Sequence, residues 1–514
     1  DTISMELRPT STFRTFDLGA DHNVHVTGRI HGPQGIHKQG DGTLTLSGAN
    51  DYYNTAATTV GGGTLRVQSR TALGSTGNAT TVADGATLEL NYVPANNSSP
   101  IEENITLNGA GVGGTEGALK ITSGGAGNEL GNNTITLGSD ATINTLARFD
   151  TNSTITDNGN GYTLTKTGSN YSNFLNFGGT ANFSHLNIAE GDFWANSSTA
   201  LPGGVGSTVN VANGAQLTIW GSQAIANAPN ISFESGSKFR TDKGGSYNSS
   251  IDGTMTLNGD TIFAINRSDS TTTINSSISG SGKLNKKGEG TMVLASSNTM
   301  SGNFQMGANS AGDTGGTVVL MNSGALGTKF VLFENDGSLE LGADGLTIAN
   351  GIAVYNRNDS TTLWRTLRLD LAGDTSGEFG GGIDIRKNNR FRADVGDGDT
   401  LTLSGNIRSG AGAGGVSKIG NGTLELTGSN TFKGALTVDG GKVVLSNTTN
   451  TFTNKIDINA GEVQLAGSGR LNDQAIEIAS GATFRWSSSA LADSGNGWYD
   501  GTITGDGNFI KDGS

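Results

Sequence analysis

The residue types that catalyse reactions are few in this 514-residue chain, and they are poorly placed to work together. Ser494 lies in Ala492-Asp-Ser-Gly-Asn496, which loosely matches the Gly-Asp-Ser-Gly-Gly core of some serine proteases. A Ser–His–Asp triad needs a histidine beside the serine, but the nearest upstream histidine is His185, 309 residues away. We therefore expect Ser494 to lie in a surface turn, and we assign no catalytic residue.

Metal-ligating residues are also few. The chain has no cysteine and five histidines, of which His22, His25, His31 and His37 lie near the N-terminus. Imidazole is a good zinc ligand, but the spacing matches no metal-binding helix or knuckle. His22 and His25 have opposite parity along a strand, and we interpret His31 and His37 as exposed substitutions. No metal ligand is assigned.

Two glycine-rich segments formally match a dinucleotide-binding fingerprint. They are Gly109-Ala-Gly-Val-Gly-Gly114 and Gly410-Ala-Gly-Ala-Gly-Gly415. That fingerprint needs a following helix whose N-terminus holds the pyrophosphate, and no helical pattern follows either segment. We predict that both segments are turns, and no cofactor is assigned.

The most charged stretch, from Trp364 to Thr400, allows two interpretations. Its charged residues are Arg365, Arg368, Asp370, Asp374, Asp384, Arg386, Arg390, Arg392, Asp394, Asp397 and Asp399. Acidic calcium ligands with an Arg or Lys base would suit a β-helix polysaccharide lyase. Charges paired along stacked strands, worth about 0.2–1 kcal/mol per pair, would form a solvated face, and we favour this interpretation. Whether the acidic segment 394–399 binds calcium stays open.

The composition excludes several classes of protein. The chain has 82 glycines, 6 prolines and only 15% charged residues, which is too little charge and proline for a disordered tail. Its net charge of −14 disfavours nucleic acid as a partner. Since no run of 18 apolar residues occurs, no helix is expected to be inserted in a membrane.

Short segments of alternating polarity recur along the chain and predict half-buried strands. Examples are Gly63-Thr-Leu-Arg-Val67, Ala86-Thr-Leu-Glu-Leu90 and Gln216-Leu-Thr-Ile219, separated by Gly, Asn, Asp and Ser turns. Many short strands fit either an antiparallel sandwich array or a parallel β-solenoid. We favour the solenoid, because the low proline content leaves backbone N–H groups free to pair between coils. The predicted fold is all-β, with roughly 20 or more coils of about 22 residues each.

A repeated motif organises the chain. Its copies are Lys38-Gln-Gly-Asp-Gly-Thr-Leu, Lys286-Lys-Gly-Glu-Gly-Thr-Met and Lys418-Ile-Gly-Asn-Gly-Thr-Leu, each ending at an asparagine 12 residues after the lysine (Asn50, Asn298 and Asn430). Lys166 and Lys511 mark degenerate or incomplete copies. The spacing predicts repeat units at 16–154, 155–270, 271–390, 391–483 and 484–514 within one continuous solenoid. We interpret the motif lysines as structural, bonding turn carbonyls of the adjacent coil, and the asparagines as αL turns or a ladder.

The motif resembles the passenger-associated β-strand repeat of bacterial autotransporters, which use type V secretion. Gly415 to Gly434 carries the pattern most fully, and Lys286 to Gly302 also matches it. The resemblance implies a right-handed parallel β-helix at the cell surface of a Gram-negative bacterium or outside the cell. It also implies that the native chain continues beyond residue 514 to an outer-membrane barrel.

The expected function is contact rather than chemistry. A surface-exposed or secreted passenger of this kind would act as an adhesin or self-associating protein in aggregation and biofilm formation, and the chain is not expected to be an enzyme. Its expected partners are identical chains or host glycan and matrix. The alternatives are a structural subunit of an extracellular filament, a β-helix polysaccharide lyase or hydrolase, and a secreted toxin.

Overall fold

The structure, a computed structural model, describes residues 5–512 except for 7–12, 53–56, 76–78, 95–99, 126–127, 170–173, 228, 243–244, 308–312, 356–363, 388, 411 and 489–498. The chain divides into two compact units. Unit 1 comprises residues 1–245 and 249–261, and unit 2 comprises residues 246–248 and 262–514. The five repeat units read from the sequence stay a prediction.

In unit 1 the described strands of successive coils pair in parallel and form three ladders. The first ladder contains Phe13–Asp17, Gly35–Gln39, Thr58–Val60, Thr80–Val82, Ile105–Gly109, the first part of Thr134–Thr145, Thr154–Thr156 and Thr180–Asn182. The second contains Asn23–Val26, Thr43–Leu46, Gly63–Val67, Ala86–Asn91, Leu119–Ser123, the rest of Thr134–Thr145, Thr163–Thr167, His185–Ile188, Thr208–Val211, Asn230–Phe233 and Thr254–Leu257. The third contains Met5–Glu6, Ile30–Gly32 and Asp51–Tyr52, and later Asn128–Leu130, Phe149–Thr151, Leu175–Phe177, Asp192–Ala195, Gln216–Trp220 and Lys238–Asp242. Ala224–Ile225 pairs with Asn248–Ile251.

Unit 2 repeats the arrangement. Its first ladder contains Thr261–Ile265, Leu284–Lys287, Phe304–Met306, Val331–Phe333, Ile352–Val354, Ile383–Ile385 and Ile407–Ser409. The second contains Thr271–Ile274, Thr291–Leu294, Thr317–Leu320, Gly337–Leu341, Trp364–Leu369, Arg390–Val395, Gly415–Ile419, the first parts of Leu436–Leu445 and Ile456–Leu465, Ile476–Ile478 and Ile503–Thr504. The third contains Leu346–Ile348, Ser376–Phe379, Thr400–Leu403, Thr423–Leu426, the remaining parts of Leu436–Leu445 and Ile456–Leu465, Thr483–Trp486 and Asn508–Lys511, and Ser277–Gly280 precedes it along the chain.

The core follows from strand alternation. In Arg390–Val395 the side chains of Phe391, Ala393 and Val395 are fully buried, while their neighbours face outward. Because the ladders are in register, inward side chains of one coil lie directly on those of the next. Burial of these apolar columns stabilises each coil against its neighbours.

Each unit is a parallel β-solenoid, and the described chain contains about 20 turns in all, which confirms the predicted fold class and rules out the sandwich array. The described residues include one short 3₁₀ turn, Val112–Gly114, and no α-helix. None of them forms a helix long and apolar enough to cross a membrane.

Candidate functional site

The motif lysines are buried inside the coils. Lys38, Lys286 and Lys418 have no exposed surface and follow Ile36, Leu284 and Val416 at inward-facing positions. Each ammonium donates hydrogen bonds to three backbone carbonyls, and we call each lysine with these acceptors a lysine clamp. The acceptors are Gln39, Gly40 and Gly62 for Lys38 (2.8, 2.7 and 3.0 Å), Lys287, Gly288 and Gly315 for Lys286 (3.1, 2.8 and 3.2 Å), and Ile419, Gly420 and Gly440 for Lys418 (2.7, 2.7 and 3.4 Å).

The motif glycines make the lysine clamp possible. Gly40, Gly288 and Gly420 have φ of +69°, +83° and +76°, a conformation that favours glycine. A Cβ at Gly40 would lie 2.3 Å from the carbonyl oxygen of Leu18 in the preceding coil. Two acceptors come from the lysine's own turn and the third from the following coil, so the ammonium joins neighbouring coils, as the sequence analysis predicted.

Burial lowers the pKa of these lysines. It lowers the pKa of Lys418 to about 8 and that of Lys286 to about 7. An ammonium has three donors, which equals the number of carbonyl acceptors around it. Lys166 is also fully buried and donates to the carbonyls of Gly168 (3.1 Å) and Glu190 (2.9 Å). Lys511 is exposed.

The motif asparagines join coils in the same way. Asn50 accepts a hydrogen bond from the backbone N–H of Ile30 in the preceding coil and donates to the carbonyl of Ala72 in the next, both at 2.8 Å. Asn298 makes the equivalent contacts, and Asn430 donates to the side chain of Asn450 at 3.0 Å. The predicted ladder is therefore present at Asn430. The predicted αL conformation is wrong for these asparagines, because the positive-φ non-glycine residues of the described chain are Asn158 and Lys387.

Successive motif lysines occupy different ladders within a unit. In unit 2 the strand of Lys286 is followed in its ladder by five further strands, the last being Ile407–Ser409. The next strand along the chain carries Lys418. In unit 1 five coils likewise separate the strand of Lys38 from Thr154–Thr156, and Lys166 lies on the next strand. In both units, one motif lysine is therefore separated from the next by five coils and one further strand. Because of that extra strand, the next motif lysine lies on an adjacent ladder.

Three of the N-terminal histidines lie on separate ladders. His25, His31 and His37 lie on three consecutive strands, Asn23–Val26, Ile30–Gly32 and Gly35–Gln39, which belong to different ladders. His31 and His37 are half-buried, so their interpretation as exposed substitutions was wrong. Among the residues that the structure describes, no group of three or more His, Asp or Glu side chains is placed to hold a metal ion.

Three other candidates from the sequence are Ser494 and the two glycine-rich segments, 109–114 and 410–415. Ser494 lies outside the described residues. The segment 109–114 forms the 3₁₀ turn Val112–Gly114 and leads to the strand Leu119–Ser123, which fits the predicted glycine-rich turn. In the other glycine-rich segment, 410–415, Gly412 has a φ of +122°, a backbone conformation that favours glycine.

The charged stretch is only partly a solvated face of paired charges. Arg368 fits that prediction, because it lies in register between Glu340 and Asp394 and is 3.6 and 3.4 Å from their carboxylates. Arg365 contradicts it, because its side chain is fully buried and its Nε donates to the carbonyl of Asn335 at 3.1 Å. Burial lowers the pKa of Arg365 to about 10. The signal was present in the sequence, since Arg365 shares the parity of the inward-facing Leu367.

In the acidic segment 394–399, the carboxylate of Asp399 bonds to backbone groups of the protein itself. Asp399 is almost fully buried and accepts hydrogen bonds from the backbone N–H groups of Leu371 and Thr375, both at 3.0 Å. Its second bond with Thr375, from the hydroxyl, is 2.6 Å long. These contacts make Asp399 a turn-stabilising residue of its own coil and the preceding one.

A groove of about 570 Å³ opens on the outside of unit 2, and no sequence motif indicated it. Gly351 lies in its floor beneath the ring of Phe330, which is 58% exposed. One coil beyond Gly351, Asp384 lines the groove and is 3.0 Å from Arg386 and 3.8 Å from Arg408.

A family model matches the segments that contain the lysine clamps. The passenger-associated transport repeat matches residues 36–67, 284–326, 416–445 and 439–465. The first three matches include Lys38, Lys286 and Lys418 with all their carbonyl acceptors. The chain carries the repeats of an autotransporter passenger. Passengers of this family belong to the surface or the secreted proteins of Gram-negative bacteria.

One relative of this passenger has a named function. The adhesin BmaC autotransporter of Brucella suis biovar 1 (strain 1330) is 28% identical to the chain over 512 aligned residues. The alignment covers 82% of the chain and 13% of the relative, so the chain spans about an eighth of that protein's length. In this chain the repeat motif supplies buried side chains that join neighbouring coils.

Proposed function

We propose that this passenger segment is an adhesin that works by non-covalent contact, without catalysis, at the cell surface or after release. Its partners in this proposal are identical chains or host glycan and matrix. The adhesin name of the Brucella relative supports the proposal. Aggregation and biofilm formation would follow from contact between identical chains.

The observation that carries the proposal is the set of outward-facing polar rows. On three successive coils of unit 1, Asn210 donates to Asn187 at 2.9 Å and accepts from Ser232 at 3.0 Å. These side chains hold one another in place, so they lose little conformational freedom when a partner binds. Gln68, Asn91 and Thr122 form a second such row, with bonds of 2.9 and 3.0 Å.

Two arginines of the charged stretch are poorly placed to act as catalytic groups of a lyase or hydrolase. A lyase or hydrolase needs acids and bases that face a common cleft. Arg365 is inside the core, and Arg368 lies between carboxylates that pair with it. Those groups support the coil, so contact is the better interpretation of this surface.

Two measurements on the purified chain test the proposal. Sedimentation velocity over a range of concentrations, at low and high salt, measures association between identical chains. Binding to immobilised extracellular matrix and host-cell glycans, measured by biolayer interferometry, tests the second kind of partner. A chain that stays monomeric and binds none of these surfaces would refute an adhesive function for the segment.

A further inference from the structure

Two arginines of unit 2 are held by an aromatic ring. Arg390 is directly in register with Trp364, and Arg392 is two residues further along the same strand. The guanidinium carbon of Arg392 lies 3.9 Å from the centre of the Trp364 ring, and that of Arg390 lies 5.2 Å away. Cation–π contacts of this kind fix the direction of a guanidinium without neutralising its charge.

These two arginines differ from the arginines of the described chain that pair with a carboxylate. Arginines with a carboxylate within 4 Å are Arg29, Arg66, Arg70, Arg148, Arg240, Arg267, Arg368, Arg386, Arg408 and Arg485. Within the described residues, neither Arg390 nor Arg392 has such a carboxylate. The Nε of Arg392 is buried and has no hydrogen-bond partner. With no carboxylate of the described residues within 4 Å, the guanidinium of Arg392 keeps its charge for an anionic ligand.

A groove lies beside the arginine pair because the following coils carry small residues. Gly415 is in register with Arg390, and a Cβ there would lie 2.6 Å from the carbonyl oxygen of Ala435. The space is about 630 Å³ and is also lined by Ser417 and Thr437. This volume is within the range of about 300–1,000 Å³ of small-molecule sites. We call the space lined by Trp364, Asn389, Arg390, Gly415, Ser417, Thr437 and Asp439 the tryptophan groove. Arg392 lies beside it, in register with Ser417 and against the ring of Trp364.

The chemistry of the tryptophan groove selects one class of ligand. Guanidinium groups bind carboxylates and sulfates through paired hydrogen bonds. The hydroxyls of Ser417 and Thr437 and the carboxylate of Asp439 suit the hydroxyl groups of a sugar. Asp439 and Asp394 act on Arg392 through their charges, and they would repel a dense polyanion such as nucleic acid.

We propose that the tryptophan groove binds an acidic saccharide, one that bears carboxylate or sulfate groups. This inference rests on the proposed adhesive function and names a ligand class and a site for it. Arg392 and Arg390 would bind the acidic group, while the hydroxyl and carboxylate side chains would bind the ring hydroxyls. The intrinsic fluorescence of Trp364 would report the binding.

The test uses the full chain and a hyaluronan-type tetrasaccharide, which carries one uronate carboxylate per disaccharide and so avoids the repulsion that a dense polyanion would meet. Its carboxyl-reduced form is the neutral control, and binding is followed by calorimetry and tryptophan fluorescence. We expect the acidic tetrasaccharide to bind at least about tenfold more tightly than the neutral one, and Arg392→Gln to weaken binding about tenfold. The matched control is Arg408→Gln, which removes the same charge from a side chain that is 70% exposed in the other groove, and we expect a change below about twofold.

Four results would overturn the inference. They are no binding of the acidic tetrasaccharide at millimolar concentration, equal binding of the neutral form, equal losses in the two variants, or tighter binding of a DNA oligonucleotide of the same charge. If Arg392→Gln does not fold, Arg392→Lys replaces it, since it keeps the charge but loses the paired hydrogen bonds, and it should still weaken binding. If adhesion persists in a variant whose groove no longer binds, the groove inference fails while the adhesive function stands.

Discussion

Replacement of one buried lysine tests how the repeat motif works. Lys286→Met keeps an unbranched side chain of similar length next to Met306, with which Lys286 is in register. It removes the ammonium from the carbonyls of Lys287, Gly288 and Gly315. We expect this change to weaken the local structure, because the three carbonyls lose their donor and the one at Gly315 stays buried.

The magnitude follows from opposing contributions. A hydrogen bond from a charged donor is worth about 1.5–3 kcal/mol, and a buried polar group left unpaired costs about 1–3 kcal/mol. The burial that lowers the pKa of Lys286 to about 7 shows that the ammonium itself is costly to bury, and methionine relieves this cost. Removal of one partner of a buried charged group usually costs about 3–5 kcal/mol, and we expect a loss at the low end, about 3 kcal/mol.

Hydrogen exchange is the appropriate assay, because a repeat structure can open locally. The amides of Gly288 and Gly307 donate to backbone carbonyls beside the clamp and serve as reporters. A loss of about 3 kcal/mol corresponds to exchange about 100-fold faster. The matched control is Lys287→Met, since Lys287 faces outward on the same strand and pairs with Asp313 at 3.1 Å. Exchange that accelerates equally in both variants, or in neither, would refute the structural role of the lysine clamp.

Three further predictions concern stability. Asn430→Ala should destabilise the coils by about 2 kcal/mol, because it leaves buried partners unbonded. The control Asn421→Ala, at an exposed position, should cost less than about 0.5 kcal/mol. Urea unfolding measures both free energies, and equal costs would contradict the proposed asparagine role. Gly40→Ala should cost more than about 2 kcal/mol of stability, since φ is +69° and the Cβ would meet a carbonyl oxygen at 2.3 Å. The control Gly85→Ala should cost about 1 kcal/mol, because φ is +77° but the space around the Cβ is open. Similar melting temperatures for the two variants would argue against the close approach at Gly40. Burial raises the pKa of Glu103 from 4.5 to about 8, so its contribution to stability is full below pH 4.5 and should be lost as the pH rises to 8. The loss should be on the order of 4–5 kcal/mol. Glu103→Gln should flatten this part of the stability profile, and an unchanged slope would refute the assignment.

Much of the fold could be predicted from local pattern. Alternating polarity located the strands, and the repeated Lys–Gly–Thr–Asn spacing indicated contacts between coils. The inward direction of Arg365 was also readable, because it alternates with Trp364 and shares parity with Leu367. Its charge argued for the surface, and the burial of the apolar partners in the same strand decided the outcome.

The surface sites could not be predicted in the same way. Trp364, Arg390 and Gly415 meet because their strands pair in register, and nothing in the local sequence fixes that register. The shift of the lysine clamp to an adjacent ladder has the same origin, since it depends on the number of strands rather than the number of residues. Long-range register, set by side-chain packing between coils, determines both features.

Adhesion of coated beads tests the central claim most directly, which is that this passenger segment acts by contact through its outer faces. Beads coated with the purified chain would be mixed with one another and applied to host cells, with and without excess soluble chain. We predict clustering or attachment that the soluble chain inhibits. Beads that neither cluster nor attach, or that attach equally in the presence of excess soluble chain, would contradict the claim.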